Sequence, residues 1–316
     1  MSAEAHRGFS CFGGTVRVHV RGTDPEAGER AADQARETLL DAHDRLSRFE
    51  PESELSRLNR DPRAEVPATP LLQALAAAVG SAGSHSGGLV DATMLEGIER
   101  AGYRESLGDG SPVPLSEALA SRPGRTPGQP NPTAAWRRVG VSEQTGTIRR
   151  PPGLGIDSGG IAKGLLADLL AEELAEERTF AVDCCCDIRL GGSAGLLRTV
   201  RVENPFGGEA PIHELKIGEG AVATSGIGRR CWPGPDGRPA HHILDPASGE
   251  PAFTGIVQAT ELAPTALLAE VYAKAALLAG PERAAEWLPH GGVIVRDGGE
   301  IDVVRLDRTP MEIVAA

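Results

Sequence analysis

Asp157, Gly159, Gly160 and Lys163 are spaced as a helix N-terminus that can receive an anion. In GIDSGGIAKGLLADLLAEEL (155–174) a short apolar lead delivers Asp157 into a turn containing two glycines. A helix is predicted from near Ile161, with Lys163 on its first turn. Ile161, Leu165 and Leu169, and Ala162, Leu166, Leu170 and Leu174, keep the helical period of one buried face. The glycines let a ligand approach the backbone, and the helix start supplies unpaired N–H groups and partial positive charge. Lys163 adds a full charge, and Asp157 can accept from a base or sugar. A phosphorylated ligand suits this arrangement. The spacing is not that of a Walker A loop, and GxGxxG is absent. Taken alone, an ordinary strand-to-helix turn with a solvated lysine explains the segment equally well.

Four other segments carry groups of chemical interest. GLVDAT places Asp91 two residues before Thr93, and the local sequence favours a cap on the following helix. ATSG ends a strand with Thr224 and Ser225, which can hold a phosphate or form an ordinary hydroxyl turn. HHILDPASGEP combines His241 and His242 with an Asp-Pro turn, and an imidazole near its ordinary pKa is a good base at neutral pH. A zinc site there lacks a second cluster with ligand spacing. DCCCD places Cys184, Cys185 and Cys186 together, but on a continuing strand their side chains alternate and cannot converge on one ion.

The elements that must position these groups read as α+β. TVRVHVR (15–21) alternates as a half-buried strand. Helices are predicted at 25–46, from Ser53 through SELSRLNR, at 70–82, at 264–278 and, shorter, at 281–288. Strands are predicted at 138–141, 179–182, 199–203, 214–217, 221–223, 256–261 and 293–295. The Gly/Pro/Ser-rich stretch 107–133 reads as an exposed loop with one short helix at 116–121. The absence of a regular βαβ rhythm separates this pattern from a doubly wound sheet.

Composition narrows the function classes. The chain has 316 residues, enough for one large domain over 1–316, with formal net charge -12. That balance argues against a nucleic-acid partner. Aromatic residues are scarce, with 2 Tyr and 3 Trp, which weakens any stacking platform. No run is long enough for membrane insertion, and MSAEAHRGFSCFGG does not read as a secretory signal. With 5 cysteines, an odd number, a cytoplasmic protein with reduced thiols is expected.

Taken in order, LSRFEPESELSRLN, GLVDAT, GIDSGGIAKGLLAD, CDIRLGG, VATSG, HHILDPASGEP and AEVYAKAALLAG resemble the ApbE family of FAD:protein FMN transferases. The resemblance spans about 46–280. It implies an α+β, T-fold-like core with a mixed sheet and packed helices, a bound FAD, and a divalent cation, usually Mg2+, beside the pyrophosphate. It further implies transfer of FMN to a Thr or Ser hydroxyl of a target flavoprotein with release of AMP. His242 then falls on the base or hydroxyl-orienting position, and Asp91, Asp157 and Lys163 on FAD contacts. The resemblance also puts Phe49 against the flavin, Thr224 and Ser225 along the phosphate region, and the Gly160 carbonyl toward the metal.

Two positions depart from the family pattern. Glu270 and Lys274 stand where the resemblance puts an Asp and a Thr that present oxygens to the cation. Glu270 retains a carboxylate, whereas a protonated Lys274 cannot be a ligand and repels a metal. Its ammonium is expected to replace part of the metal charge, abolishing or loosening the site. Cys185 and Cys186 replace a Gly-Gly pair and are expected to narrow the flavin end. Loss of the metal leaves two further readings open: hydrolysis of FAD to FMN and AMP, and a non-catalytic FAD-binding or assembly protein.

Overall fold

Val16, Val18 and Val20 point to one side of a strand and are fully buried, as the alternation of TVRVHVR requires. In the computed structural model, which describes residues 4–107 and 113–305, that strand belongs to an eight-stranded sheet. Its members are β1 (Ala5–Cys11), β2 (Gly14–Arg21), β3 (Thr179–Cys184), β4 (Asp187–Gly191), β5 (Gly220–Gly226), β6 (Ile256–Ala263), β7 (Gly292–Arg296) and β8 (Ile301–Val304). They lie side by side in chain order. The architecture is α+β. The sheet, expected to be mixed, is antiparallel in every pairing of the described residues. Tight hairpins join β1 to β2, β3 to β4 and β7 to β8, which parallel neighbours do not permit.

The helices are α1 (Pro25–Leu46), α2 (Glu54–Arg60), α3 (Pro70–His85), α4 (Leu95–Arg100), α5 (Leu115–Ala120), α6 (Ala162–Glu173) and α7 (Ala266–Ala279). Local chemistry sets their starts. Asp24 accepts from Ala27 N at 2.8 Å with Pro25 at the first helical position, and Ser53 accepts from Ser56 N at 2.9 Å. α3 runs three residues past the predicted Ala82, and the helix expected at 281–288 is only a 3-10 turn at Ala284–Trp287. Part of the 107–133 stretch, residues 108–112, lies outside the described residues; α5 falls within the rest, one residue from its predicted place.

α1 packs on β1 and β2, α6 on β3 and β4, and α7 on β5 and β6, so one face of the sheet is covered by helices. A hairpin, Arg198–Val202 with His213–Ile217, covers the other. Val202, Leu215 and Ile217 meet Ala181, Leu190, Val222, Leu262 and Val293 there. Phe180 and Val182, one residue to either side of Ala181, belong to the helix-side core. A strand buried on both faces loses alternation, which is why 179–182 reads as a plain apolar run.

Two contacts fix α6 against α7. A Cβ on Gly164 would stand 2.6 Å from the Ala266 carbonyl oxygen, so the helices approach at a distance that only glycine allows. The Asp168 carboxylate accepts from Ala266 N at 2.7 Å and Leu267 N at 2.9 Å, capping α7 from outside its own chain segment. The first turns of both helices are thereby locked side by side.

The cysteine run does not continue as a strand. Cys185 and Cys186 form the two-residue turn between β3 and β4, with φ of 57° and 77°. Cys185 Sγ donates to the Cys11 carbonyl at 3.4 Å and lies against Gly14, on the β1–β2 hairpin. The Cys185 side chain fills that junction, and neither cysteine lines the cleft described below. Burial pushes the pKa of all three thiols upward, which keeps them protonated and unreactive. Left-handed backbone costs a non-glycine residue about 1 kcal/mol or more. Cys186→Gly is therefore expected to raise unfolding stability by about 1 kcal/mol in urea denaturation. A loss of stability would show that the thiol's contacts outweigh the strain.

Candidate functional site

The end of α1, the Asp91 loop, the start of α6, the His242 segment and α7 converge on one cleft. Its floor is the 156–160 segment, stitched in place from several sides. Asn59 accepts from Ile156 N at 2.8 Å and donates to the Ile156 carbonyl at 2.9 Å. Asp157 N donates to the Ala92 carbonyl at 2.8 Å, and Ser158 Oγ to the Leu46 carbonyl at 2.9 Å. The predicted anion turn is thus a tertiary construction, and it leads into α6 through a short 3-10 turn, Ser158–Gly160.

Lys163, on the first turn of α6, donates to the fully buried Asp187 on β4 and stands 3.8 Å from Glu270 Oε1. Glu270 Oε2 accepts from Gly164 N at 3.0 Å. Lys274, one turn further along α7 and on the same face as Glu270, donates to the Gly160 carbonyl at 2.9 Å and to Glu270 Oε1 at 3.3 Å. Two ammonium groups and two carboxylates therefore alternate in one cluster. Burial opposes the charged form of Lys163, but Asp187 and Glu270 outweigh it and raise its pKa. Burial likewise works to raise the Glu270 pKa, and Lys274 and Lys163 overcome it and hold the carboxyl below its ordinary range. For Asp187 burial prevails over Lys163 and the shift is upward.

This donor set does not fit a divalent cation. Magnesium takes oxygen ligands in an octahedral shell, commonly one or two carboxylates with phosphates and water. Here both oxygens of Glu270 are engaged, and the Gly160 carbonyl already accepts from an ammonium. Among the described residues no group of three His, Cys, Asp or Glu side chains is arranged to hold a metal. A dication about 4 Å from the ammonium would meet roughly 8 kcal/mol of repulsion at an effective dielectric near 20. Gly160 and Glu270, the expected metal contacts, instead hold Lys274.

The opposite wall is aromatic and cationic. Phe49 and Tyr103 have ring centroids 5.3 Å apart, and Tyr103 stacks on Trp232 at 5.0 Å. The Arg48 guanidinium lies 4.2 Å from the Phe49 centroid and 4.8 Å from that of Tyr103. It is pinned by Asp157 Oδ1 at 3.0 Å and the Tyr103 carbonyl at 2.7 Å. Arg230 donates to Tyr103 Oη at 3.0 Å. Phe49 and Tyr103 thus stand where a planar ring can lie against them.

His242 lines the cleft, whereas His241 turns into the core, edge-on to Phe253 at 4.8 Å and accepting from Ile243 N at 3.3 Å. Burial pushes the His242 pKa well below its ordinary value, and Arg230, His241, Lys274 and Lys163 add to the shift. The neutral imidazole is thereby favoured, and its Nδ1 is buried without a hydrogen-bond partner. Asp91 is not a helix cap: Oδ1 accepts from Thr93 N at 2.8 Å and Thr93 Oγ1 at 2.5 Å, while α4 has Met94 at its N-cap position and no side-chain cap. Asp91 Oδ2 is buried, unpartnered and at the cleft wall, the position of an acceptor awaiting a donor.

Of the residues singled out in the sequence, Phe49, Asp91, Asp157, Gly160, Lys163, His242 and Lys274 line the cleft, and Glu270 lies immediately behind Lys274. Thr224 and Ser225 do not. Thr224 Oγ1 pairs with Thr260 Oγ1 at 2.9 Å across β5 and β6, whereas Ser225, on the same side of the strand as Ala221 and Ala223, is buried on the helix-covered face without reaching the cleft lining. Arg48, Tyr103 and Arg230 were not anticipated. Arg48 adjoins Phe49 in the same motif, but nothing local marks the other two.

Other proteins share this arrangement of chain. The model of the ApbE family matches residues 12–295. The FAD:protein FMN transferase of Escherichia coli K12 is 27% identical over 288 residues, 88% of this chain and 79% of that protein. That of Klebsiella pneumoniae is 28% identical over 295 residues, with the same coverages of 88% and 79%. In three dimensions the chain is similar to the ApbE protein of Thermotoga maritima, with TM-score 0.76, 24% identity and coverage of 96% and 97%. It is also similar to the flavinyl transferase ApbE of Pseudomonas stutzeri, with TM-score 0.72, 21% identity and coverage of 95% and 94%. The family pattern runs through every segment that builds the cleft: this chain belongs to the ApbE family.

Proposed function

We propose that the chain binds FAD in this cleft and transfers FMN from it to a Thr or Ser hydroxyl of a target flavoprotein, releasing AMP. The observation that carries the reading is the pairing, within one cleft, of an aromatic wall with a cationic floor next to a neutral imidazole. The isoalloxazine lies against Phe49 and Tyr103, with Arg48 and Arg230 fixing that wall. The pyrophosphate sits at the start of α6, near Lys163 and Lys274, and Asp91 Oδ2 accepts from the ligand. The acceptor hydroxyl attacks the FMN-side phosphorus while the bond to the AMP oxygen breaks. His242 takes the hydroxyl proton, and positive charge around the pyrophosphate stabilises what develops in the transition state. No step is assigned to magnesium, because Lys274 holds the Gly160 and Glu270 oxygens.

Incubation with FAD and a candidate acceptor domain tests this reading by mass spectrometry and nucleotide analysis. Equal amounts of FMN adduct and AMP are expected. AMP without adduct would identify the protein as an FAD pyrophosphatase. Saturable FAD binding with neither product would identify it as a binding or assembly protein. The odd number of cysteines supports placing the reaction in the cytoplasm; separately, among the described residues no helix is long and apolar enough to cross a membrane.

A further inference from the structure

We propose that the Lys274 ammonium, clamped between the Gly160 carbonyl and Glu270, is a tethered cation that receives the ligand's pyrophosphate in place of a divalent metal. The inference rests on reading the ligand as FAD, and it adds that this chain binds its ligand without a metal.

The geometry is that of a built site. An ammonium has three hydrogens. Lys274 directs two at Gly160 O, 2.9 Å away, and Glu270 Oε1, 3.3 Å away. Its side chain lines the cleft, which leaves the third for an anion there. The anchor is rigid at both ends. Glu270 is 1% exposed and its other oxygen is held by Gly164 N. The Gly160 carbonyl ends the 3-10 turn whose start is stitched to Leu46 and Ala92.

Charge balance points the same way. Lys163 and Lys274 are matched by Asp187 and Glu270 inside the cluster. A dianionic pyrophosphate arriving there still meets the α6 N-terminus and the outward side of both ammonium groups. A dication would have to displace Lys274 from both of its oxygens. The cluster thus exchanges a dissociable charge for a covalently attached one. The ligand class follows: a pyrophosphate diester in its metal-free form.

The test is equilibrium binding to the whole chain, using FAD in excess chelator and in excess magnesium, and inorganic pyrophosphate in chelator. Both probes are expected to bind without metal, and magnesium is expected to change the FAD affinity by less than about twofold. Lys274→Met should weaken both probes about 10- to 100-fold, the worth of a charge-assisted hydrogen bond. Lys274→Arg, which keeps the charge, should retain most of the affinity and guards against a folding defect in the Met variant. Lys274→Thr should acquire a magnesium response that the parent lacks, which a merely structural lysine would not confer.

A tenfold or larger gain of parental FAD affinity in magnesium, or unchanged affinities in Lys274→Met, would overturn the inference. The two readings fail separately. Pyrophosphate binding through Lys274 with no FAD binding would refute the flavin ligand and support the tethered cation. FAD binding that requires magnesium would do the reverse.

Discussion

His242→Ala is expected to lower the rate of FMN transfer by about 10²- to 10⁴-fold while leaving FAD affinity nearly unchanged. His242 lines the cleft with Lys163, Lys274 and Arg230, and burial together with these cations favours its neutral form. The active form of a general base is the deprotonated one, so activity is lost as pH falls through its folded pKa. Because burial and three cationic neighbours push that pKa well below 6.5, the acid limb of kcat/KM, which reports the free enzyme, should lie below pH 6.5. Bound pyrophosphate offsets the cations, which raises the imidazole pKa in the complex. The acid limb of kcat should therefore lie at higher pH than that of kcat/KM. Steady-state rates across this range, measured for both parameters, check the ordering. Coincident limbs, or a variant within fivefold of the parent rate, would remove His242 as the base.

Much of the fold and part of the cleft could be read from short segments, for identifiable reasons. The boundaries of α1 follow from Asp24 and Pro25 and from a repeating buried face. Lys163, Asp157 and His242 sit in turns whose local chemistry marks them. What could not be read depends on contacts between distant segments. Tyr103 meets Arg230 across 127 residues and Arg48 across 55, and no periodicity encodes those meetings. Strand parity decided Thr224: pairing with Thr260 in the sheet turns its hydroxyl to a neighbouring strand. β1 escaped notice because Arg7 interrupts the inward row of Ala5, Phe9 and Cys11 in its sequence, AHRGFSC, and blunts the alternation of this edge strand. For Lys274 the i, i+4 pairing with Glu270 is visible in the sequence. Its reach to Gly160 is not, because that reach follows from the close approach of α6 and α7 at Gly164 and the cap from Asp168.

That same packing makes Asp187 the most sensitive position in the cluster. Asp187→Ala is expected to lower unfolding stability by about 3–5 kcal/mol, the usual cost of leaving a buried charge without its partner. Lys163 would then have only Glu270, at 3.8 Å, and would share that carboxylate with Lys274. Two cations on one buried anion is the arrangement least able to offset lost solvation. The double variant Lys163→Met/Asp187→Leu removes both charges and fills their volume with apolar atoms, so it should recover most of the lost stability. It should not recover FAD affinity, because the cation at the start of α6 is gone. Urea denaturation measures the first effect and FAD titration the second. A single variant that loses less than about 1 kcal/mol would place Lys163 in water instead of against Asp187. A double variant that binds FAD as the parent does would assign the anion to Lys274 alone. The buried pair is thus expected to hold an ammonium at a fixed place in the cleft, and an apolar pair that matches its stability would still fail to do so.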